Sequence, residues 1–228
     1  MSDRLHIGSP PIEINLRRKK NARRLTLRVA ADGVYLTIPL RTALKEAEAF
    51  ANKQEGWIRG KLEKQPEKQL VGQDERVLVE GNYYQIKETK GRAVYLENNH
   101  INVPGPASKY PSKIKAFLKE RARMRLVSAS DHYAGQLGES YGRITLRDTR
   151  SRWGSCTSTG NLMYSWRLIM APVEILNYVA AHEVCHLVEM NHSKRFWDLV
   201  ENLDANYKVH RSWLREHGTR LHRIDFSG

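Results

Sequence analysis

Apolar and polar residues alternate through most of the first forty positions. Ile12–Leu16, Leu25–Val29 and Gly33–Pro39 change face at every residue, the period of a strand with one buried side. The turn signal Ala31-Asp32-Gly33 joins the last two runs. The period then lengthens. TALKEAEAFANK predicts a helix capped by Thr42, with Glu46 in its first turns. EGWIRGKLEKQ predicts a shorter helix that Pro66 stops. Alternation returns over 76–103 in four runs, RVLVEG, YYQIKET, AVYLEN and HINVP. Gly81-Asn82, Lys90-Gly91 and Asn98-Asn99 break them. Three prolines in PGPASKYPS (104–112) mark a boundary.

A long helical stripe follows, through Ile114, Phe117, Leu118, Met124, Val127, Ala134 and Leu137. It predicts a helix from Ser112, as cap, to about Gln136, with Gly138 as the stop. Strands are expected over 143–148 and 161–170, with a loop between them. A helix should then run from Pro172 to about Met190, since proline suits a first helical position. Two short helices, Lys194–Asn202 and Tyr207–His217, close the chain, the second ended by Gly218. No internal repeat or low-complexity tract is visible. The fold class is α+β: a mainly β N-terminal unit with a helical insert over 1–105, then an α+β unit over 106–228.

Composition narrows the class. The chain has 228 residues, 40% hydrophobic and 28% charged, which suits an ordinary folded protein of one or two domains. No run of eighteen apolar residues predicts a membrane span. The N-terminus lacks the basic-then-apolar order of a signal peptide. Two cysteines, Cys156 and Cys185, are too few for a disulfide framework. The expectation is a cytoplasmic protein with reduced thiols. Net charge is +13, which admits nucleic acid, nucleotides or acidic surfaces as partners. Arg17, Arg18, Lys19, Lys20, Arg23 and Arg24 form the densest basic cluster, a candidate anion-binding segment; its rival is a solvated surface.

The chemistry is concentrated in His182-Glu183-Val184-Cys185-His186, an H-E-x-x-H motif on a predicted helix. Four residues are just over one turn, so both imidazoles leave one face and can hold one ion. Glu183 stands beside them, placed to take a proton from water the ion acidifies. With this composition the motif arises by chance about 0.03 times per chain. A catalytic zinc needs a third ligand and an open position. His192 supplies that ligand if Asn191 ends the helix left-handed and Ser193 caps the next one. A third histidine at one named spacing lowers the chance figure to about 0.001. Zn2+ is the expected cofactor, although other divalent ions meet the same donors. The spacing is also that of the metzincins, but Glu189 replaces their turn glycine and no methionine turn follows.

The chain resembles the YgjP-like metallopeptidases. The resemblance rests on Arg152-Trp153-Gly154-Ser155-Cys156, on Asn177-Tyr178-Val179 leading into the H-E-x-x-H segment and Leu187, and on Asn191-His192-Ser193 followed by Phe196-Trp197. It extends to the R-R-x-x-L-x-L-R-V stretch, Arg23 to Val29, and to Ile38-Pro39. It implies a small zincin-like catalytic domain and metal-dependent hydrolysis. Members are described as hydrolases, some as UTP pyrophosphatases, with a distant likeness to SprT-type proteases.

Other residues admit two readings each. Arg152 can clamp a substrate carboxylate or phosphate, or make a surface salt bridge. Trp153 and Trp166 read as packing. Cys156 reads as a small buried residue, or as a regulatory ligand on the metal; Cys185 reads as packing. Glu189, Asp198 and Glu201 are candidates to orient a ligand imidazole. Tyr207 and His210 are candidates to polarise an oxyanion. Three functions therefore stand: a peptidase acting on peptide or protein, a nucleoside triphosphate pyrophosphatase, and a nucleic-acid-associated protein with a protease-like metal domain. An open edge on the strand 161–168 would favour the peptidase, because such an edge pairs an extended peptide.

Overall fold

The computed structural model of the chain describes residues 4–30, 33–63, 69–72 and 76–226. The chain divides into two compact units between residues 68 and 69, not at the proline-rich segment 104–112. The expected turn at Ala31-Asp32 and the stop at Pro66 lie outside the described residues.

The first unit is a four-stranded sheet with two helices. Its strands are β1 (Arg4–Ile7), β2 (Ile12–Lys19), β3 (Thr26–Ala30) and β4 (Gly33–Pro39), in the order β1-β2-β4-β3. β1 and β2 are antiparallel, β2 and β4 parallel, β3 and β4 antiparallel. Ile12, Ile14, Leu16, Val34, Leu36 and Ile38 bury one face, as the alternation requires. Ala47 and Ala51 of α1 (Leu44–Lys53) and Ile58 of α2 (Glu55–Glu63) close that core. Ala43, not Thr42, occupies the cap position of α1, and it makes no side-chain cap.

The second unit opens with the short β5 (Gln69–Leu70) and another four-stranded sheet. That sheet is β6 (Arg76–Val79), β7 (Asn82–Thr89), β8 (Tyr95–Glu97) and β9 (His100–Pro104), ordered β6-β7-β9-β8. Its pairings are antiparallel, parallel and antiparallel, as in the first sheet. The two sheets therefore repeat one topology, which the sequence does not display as a repeat. Val77, Val79, Ile86, Ile101 and Val103 share a core with Tyr110, Ile114 and Leu118 of α3 (Tyr110–Leu137). This shared core is why the segment 104–112 is no boundary. Ser112 lies inside α3, while Gly138 ends it in the left-handed conformation, φ 69°.

A three-stranded sheet follows: β10 (Ile144–Arg147), β11 (Gly154–Cys156) and β12 (Leu162–Ser165), ordered β10-β12-β11. The strand expected over 161–170 is thus central, paired with β10 on one side and β11 on the other. Its second half is a 3-10 turn, Trp166–Met170, wholly buried. β11 fell in the expected loop, and it forms the edge. Three helices complete the unit: α4 (Val173–Cys185), α5 (Lys194–Leu203) and α6 (Tyr207–Leu221), before a final β13 (Ile224–Asp225) that pairs with β5. α6 runs through Gly218, whose Cβ position lies 2.8 Å from Trp153, so this glycine gives room to a tryptophan rather than a stop. Arg167 ties the segment down, donating to both carboxylate oxygens of Asp148 and to the carbonyls of Leu221 and Ile224. Among the described residues no helix is long and apolar enough to cross a membrane.

Candidate metal centre

α4 is apolar on nearly every side, and Ile175, Leu176, Val179, Ala180 and Val184 anchor it in the core. That burial fixes the direction of its polar residues. His182 and His186 lie one turn apart with ring centroids 5.1 Å apart. The helix ends at Cys185, earlier than expected, with His186 as its C-cap. Asn191 is not left-handed; the turn closes instead through backbone bonds of Leu187, Val188 and Glu189 to Val184 and Cys185. Ser193 caps α5 as expected, accepting from the Phe196 N–H at 3.3 Å.

This turn carries His192 back over the helix. Its Nε2 faces Nε2 of His182 at 3.1 Å. One ligand nitrogen from each of His182, His186 and His192 lies within 4.8 Å of the others. Two ligands about 2.0–2.1 Å from a tetrahedral ion would be roughly 3.3 Å apart, close to the 3.1 Å between the His182 and His192 nitrogens. Tautomers fit as well. His186 Nδ1 lies 3.0 Å from the Glu189 carbonyl, which can only accept, so its Nε2 keeps a free lone pair. Burial holds His182 neutral, its pKa lowered to about 3, with His186, His192 and Arg211 adding to the effect. Burial lowers His186 likewise. One side chain braces all three rings: Phe196, fully buried, stacks on His186 at 4.5 Å and meets His182 and His192 edge-on at 4.9 and 4.8 Å.

Glu183 is buried beside the imidazoles. Burial pushes its carboxyl up to about 8, against the pull of the Arg152 charge and of a hydrogen bond from the Cys156 backbone. β11 packs directly over it: a Cβ on Gly154 would fall 2.5 Å from Glu183 Cγ and Oε1. Trp153, Ser155 and Thr157 turn their backbone groups inward to β12. Gly154 and Cys156 thus present theirs to the open edge, beside Glu183.

A cleft of about 360 Å³ opens here. Arg152, Trp153 and Gly154 form one wall, Tyr178, His182 and Glu183 the floor, and Arg211, Leu214 and Arg215 of α6 the other wall. The structure places Arg152 in the lining of this cleft, with His182 and Glu183. It does not bring the other candidates there. Tyr207 is stacked on Trp197, and His210 pairs with Asp204 at 2.7 Å. Asp198 and Glu201 pair with Lys194 and Lys208, and Glu189 reaches His186 only through its carbonyl. Cys156 is outside the ligand group, with its thiol raised to about 11 by burial and the Glu183 charge. Cys185 is packed in the core. Tyr178, Arg211 and Arg215 were missed. Tyr178 had a signal: it precedes His182 by four residues, on the same helical face. Burial raises its phenol to about 12, so it stays a donor.

The basic cluster lies in the first unit. Arg17 is exposed and sits 4.0 Å over the Tyr35 ring. Arg18 departs from the expectation, because it donates to the carbonyls of Leu40 and Thr42 and so closes the sheet end. Lys20, Arg23 and Arg24 are exposed in the loop between β2 and β3.

Residues 23–217 match the model of the family described as YgjP-like, metallopeptidase domain. No curated protein matches the chain in sequence. Among solved structures, a crystal structure of the metallopeptidase zymogen of Pyrococcus abyssi abylysin is similar at 19% identity and a TM-score of 0.37. The match covers 43% of this chain and 97% of that one.

Proposed function

The chain belongs to the YgjP-like metallopeptidase family, and from that premise we propose that it is a zinc peptidase with His182, His186 and His192 as ligands and Glu183 as general base. The observation that carries the reading is the convergence of three imidazole nitrogens beside a buried carboxylate, at the open edge of β11. Zinc at this donor set would supply a Lewis acid that brings the pKa of water toward about 7. Glu183 accepts the proton and returns it to the leaving amine. A substrate strand pairs with the outward backbone groups of Gly154, which sets its carbonyl next to Glu183. The Tyr178 hydroxyl, held protonated by burial, donates to the oxygen that becomes negative. The edge strand favours a peptide over a nucleotide, because it offers backbone pairing and no glycine-rich phosphate loop.

Metal analysis of the purified protein, then peptide and nucleoside triphosphate turnover by wild type and Glu183→Gln, tests this. The expected result is about one zinc per chain, peptide cleavage by wild type, and none by the variant. Nucleotide turnover without peptide turnover would overturn it.

We also propose that the first unit meets a polyanion through the solvent face of its sheet. Arg17 and Arg28 flank Tyr35 there, at 4.0 and 5.9 Å from its ring.

A further inference from the structure

Three arginines converge on the cleft beside Glu183 from two separate elements. Arg152 comes from the loop before β11. Arg211 and Arg215 lie one turn apart on α6, so they share a face. Arg211 is laid flat against Trp197, its guanidinium 4.7 Å from the ring, and Arg215 donates to the Ser212 hydroxyl at 3.0 Å. Both contacts hold a guanidinium in place, the second through a hydroxyl that itself donates to Glu216 at 2.8 Å. Neither Arg152 nor Arg211 has a carboxylate within salt-bridge distance among the described residues. Elsewhere the protein does pair such groups: Arg121 and Arg125 share Glu80, and Arg167 takes Asp148. Glu183 is the one acid in the cleft lining, and the proposed reaction occupies it. A cleft walled by one sign of charge concentrates the field on whatever enters.

We infer that this cleft selects substrates with a carboxylate close to the scissile bond, and that Arg211 and Arg215, with Arg152, are the residues that read it. The inference rests on the peptidase reading and deepens it. The carboxylate is either a Glu or Asp side chain or the free C-terminus of a short peptide. A guanidinium presents two parallel N–H groups that match its two oxygens, whereas an amide or hydroxyl in the same place leaves the arginines unpaired.

The test uses the full-length, zinc-loaded protein and pairs of peptides that differ only by Glu against Gln at successive positions, each with a free or amidated C-terminus. Wild type should cleave the acidic member with roughly 10- to 100-fold higher kcat/KM, the range expected for a charged hydrogen bond. That advantage should shrink as salt rises. In Arg211→Gln and Arg215→Gln the acidic-to-neutral ratio should fall toward one, and in Arg211→Glu it should invert in favour of Lys peptides. A preference that survives amidation assigns the contact to the side chain; one abolished by amidation assigns it to the C-terminus. Equal cleavage of acidic and neutral peptides by wild type overturns the inference and leaves the peptidase reading standing. If no peptide is cleaved the peptidase reading fails, and calorimetry on Glu183→Gln protein still judges the cleft. Tighter binding of the acidic peptide, abolished when Arg211→Gln is added, supports the inference. Equal binding, or tight nucleoside triphosphate binding without acidic-peptide preference, overturns it.

Discussion

At Glu183, burial works against the charge that a general base must carry. The carboxyl is raised toward about 8, so the folded chain holds this proton more tightly than the unfolded chain does. The resulting stability is fully present below about 4.5, the ordinary value, and is lost as pH rises through about 8. Glu183→Gln removes that loss. In chelator, the variant should therefore be more stable than wild type at pH 8, by on the order of 4 kcal/mol, with the two similar near pH 4.5. Urea melts at both pH values check this, and identical pH slopes would contradict it. With zinc restored, the same variant should bind the metal but hydrolyse nothing, because an amide cannot take the proton. Tyr178 gives a complementary expectation. Tyr178→Phe removes only the donor, so kcat should fall about 100-fold with KM little changed. A change confined to KM would make Tyr178 a binding residue instead. These residues differed in legibility. The proposed ligands and Glu183 announce themselves by a fixed spacing, His182 to His186 and on to His192. Arg211 and Arg215 stand some thirty residues away on a charged, ordinary helix, and only packing reveals that they face Glu183.

The elements that hold the site are short, and their roles come from position. Phe196 touches all three imidazoles from the first turn of α5, so that helix acts as a brace for the ligand set. Phe196→Ala should leave the donors present but looser. Zinc affinity should drop about 10- to 100-fold, the effect of losing an outer support, with a stability cost of about 3–5 kcal/mol. Competition with a chromophoric chelator measures the first and melting the second; unchanged affinity would show that α4 and the turn alone orient the rings. Phe196 was visible as part of a motif, yet its function was not, because contact with three histidines is a property of the turn from 186 to 193. β11 was illegible for a different reason. Gly-Ser-Cys carries no alternation and no β-branched residue, and it is a strand only because β12 pairs with it. The 3-10 turn at Trp166–Met170 was likewise hidden, since an apolar run interrupted only by Arg167 reads equally well as a buried strand.

For the whole molecule, two sheets share one strand order and pairing, and each leads into a helix. Their sequences agree only in alternation, which many strands satisfy, so the repeat emerges from topology alone. The proline-rich segment misled for a related reason: it marks the passage from sheet to α3, and the hydrophobic core continues across it. The two units differ in charge. Residues 1–68 hold fifteen Lys and Arg against eight Asp and Glu, so less than a third of the chain carries more than half of the +13 net charge. On the solvent face of that first sheet, pairing sets Tyr35 beside Asn15 and Arg28, with Arg17 over its ring. An aromatic ring between exposed guanidinium groups suits the stacked bases and phosphates of a single strand. Full-length protein should therefore bind a labelled single-stranded oligonucleotide, with affinity that falls steeply as salt rises. Replacing Arg17, Lys19 and Arg28 with Ser should flatten the log–log salt slope by about 0.7 for each phosphate no longer neutralised. Tyr35→Ala should weaken binding with the slope unchanged, because stacking releases no counterions. Arg18 is left in place because its bonds to Leu40 and Thr42 hold the sheet end. None of these changes should alter zinc content. Absence of binding at low salt would reduce the charge to a property of the surface, and a slope indifferent to the triple replacement would move the binding surface to Lys20, Arg23 and Arg24 in the loop.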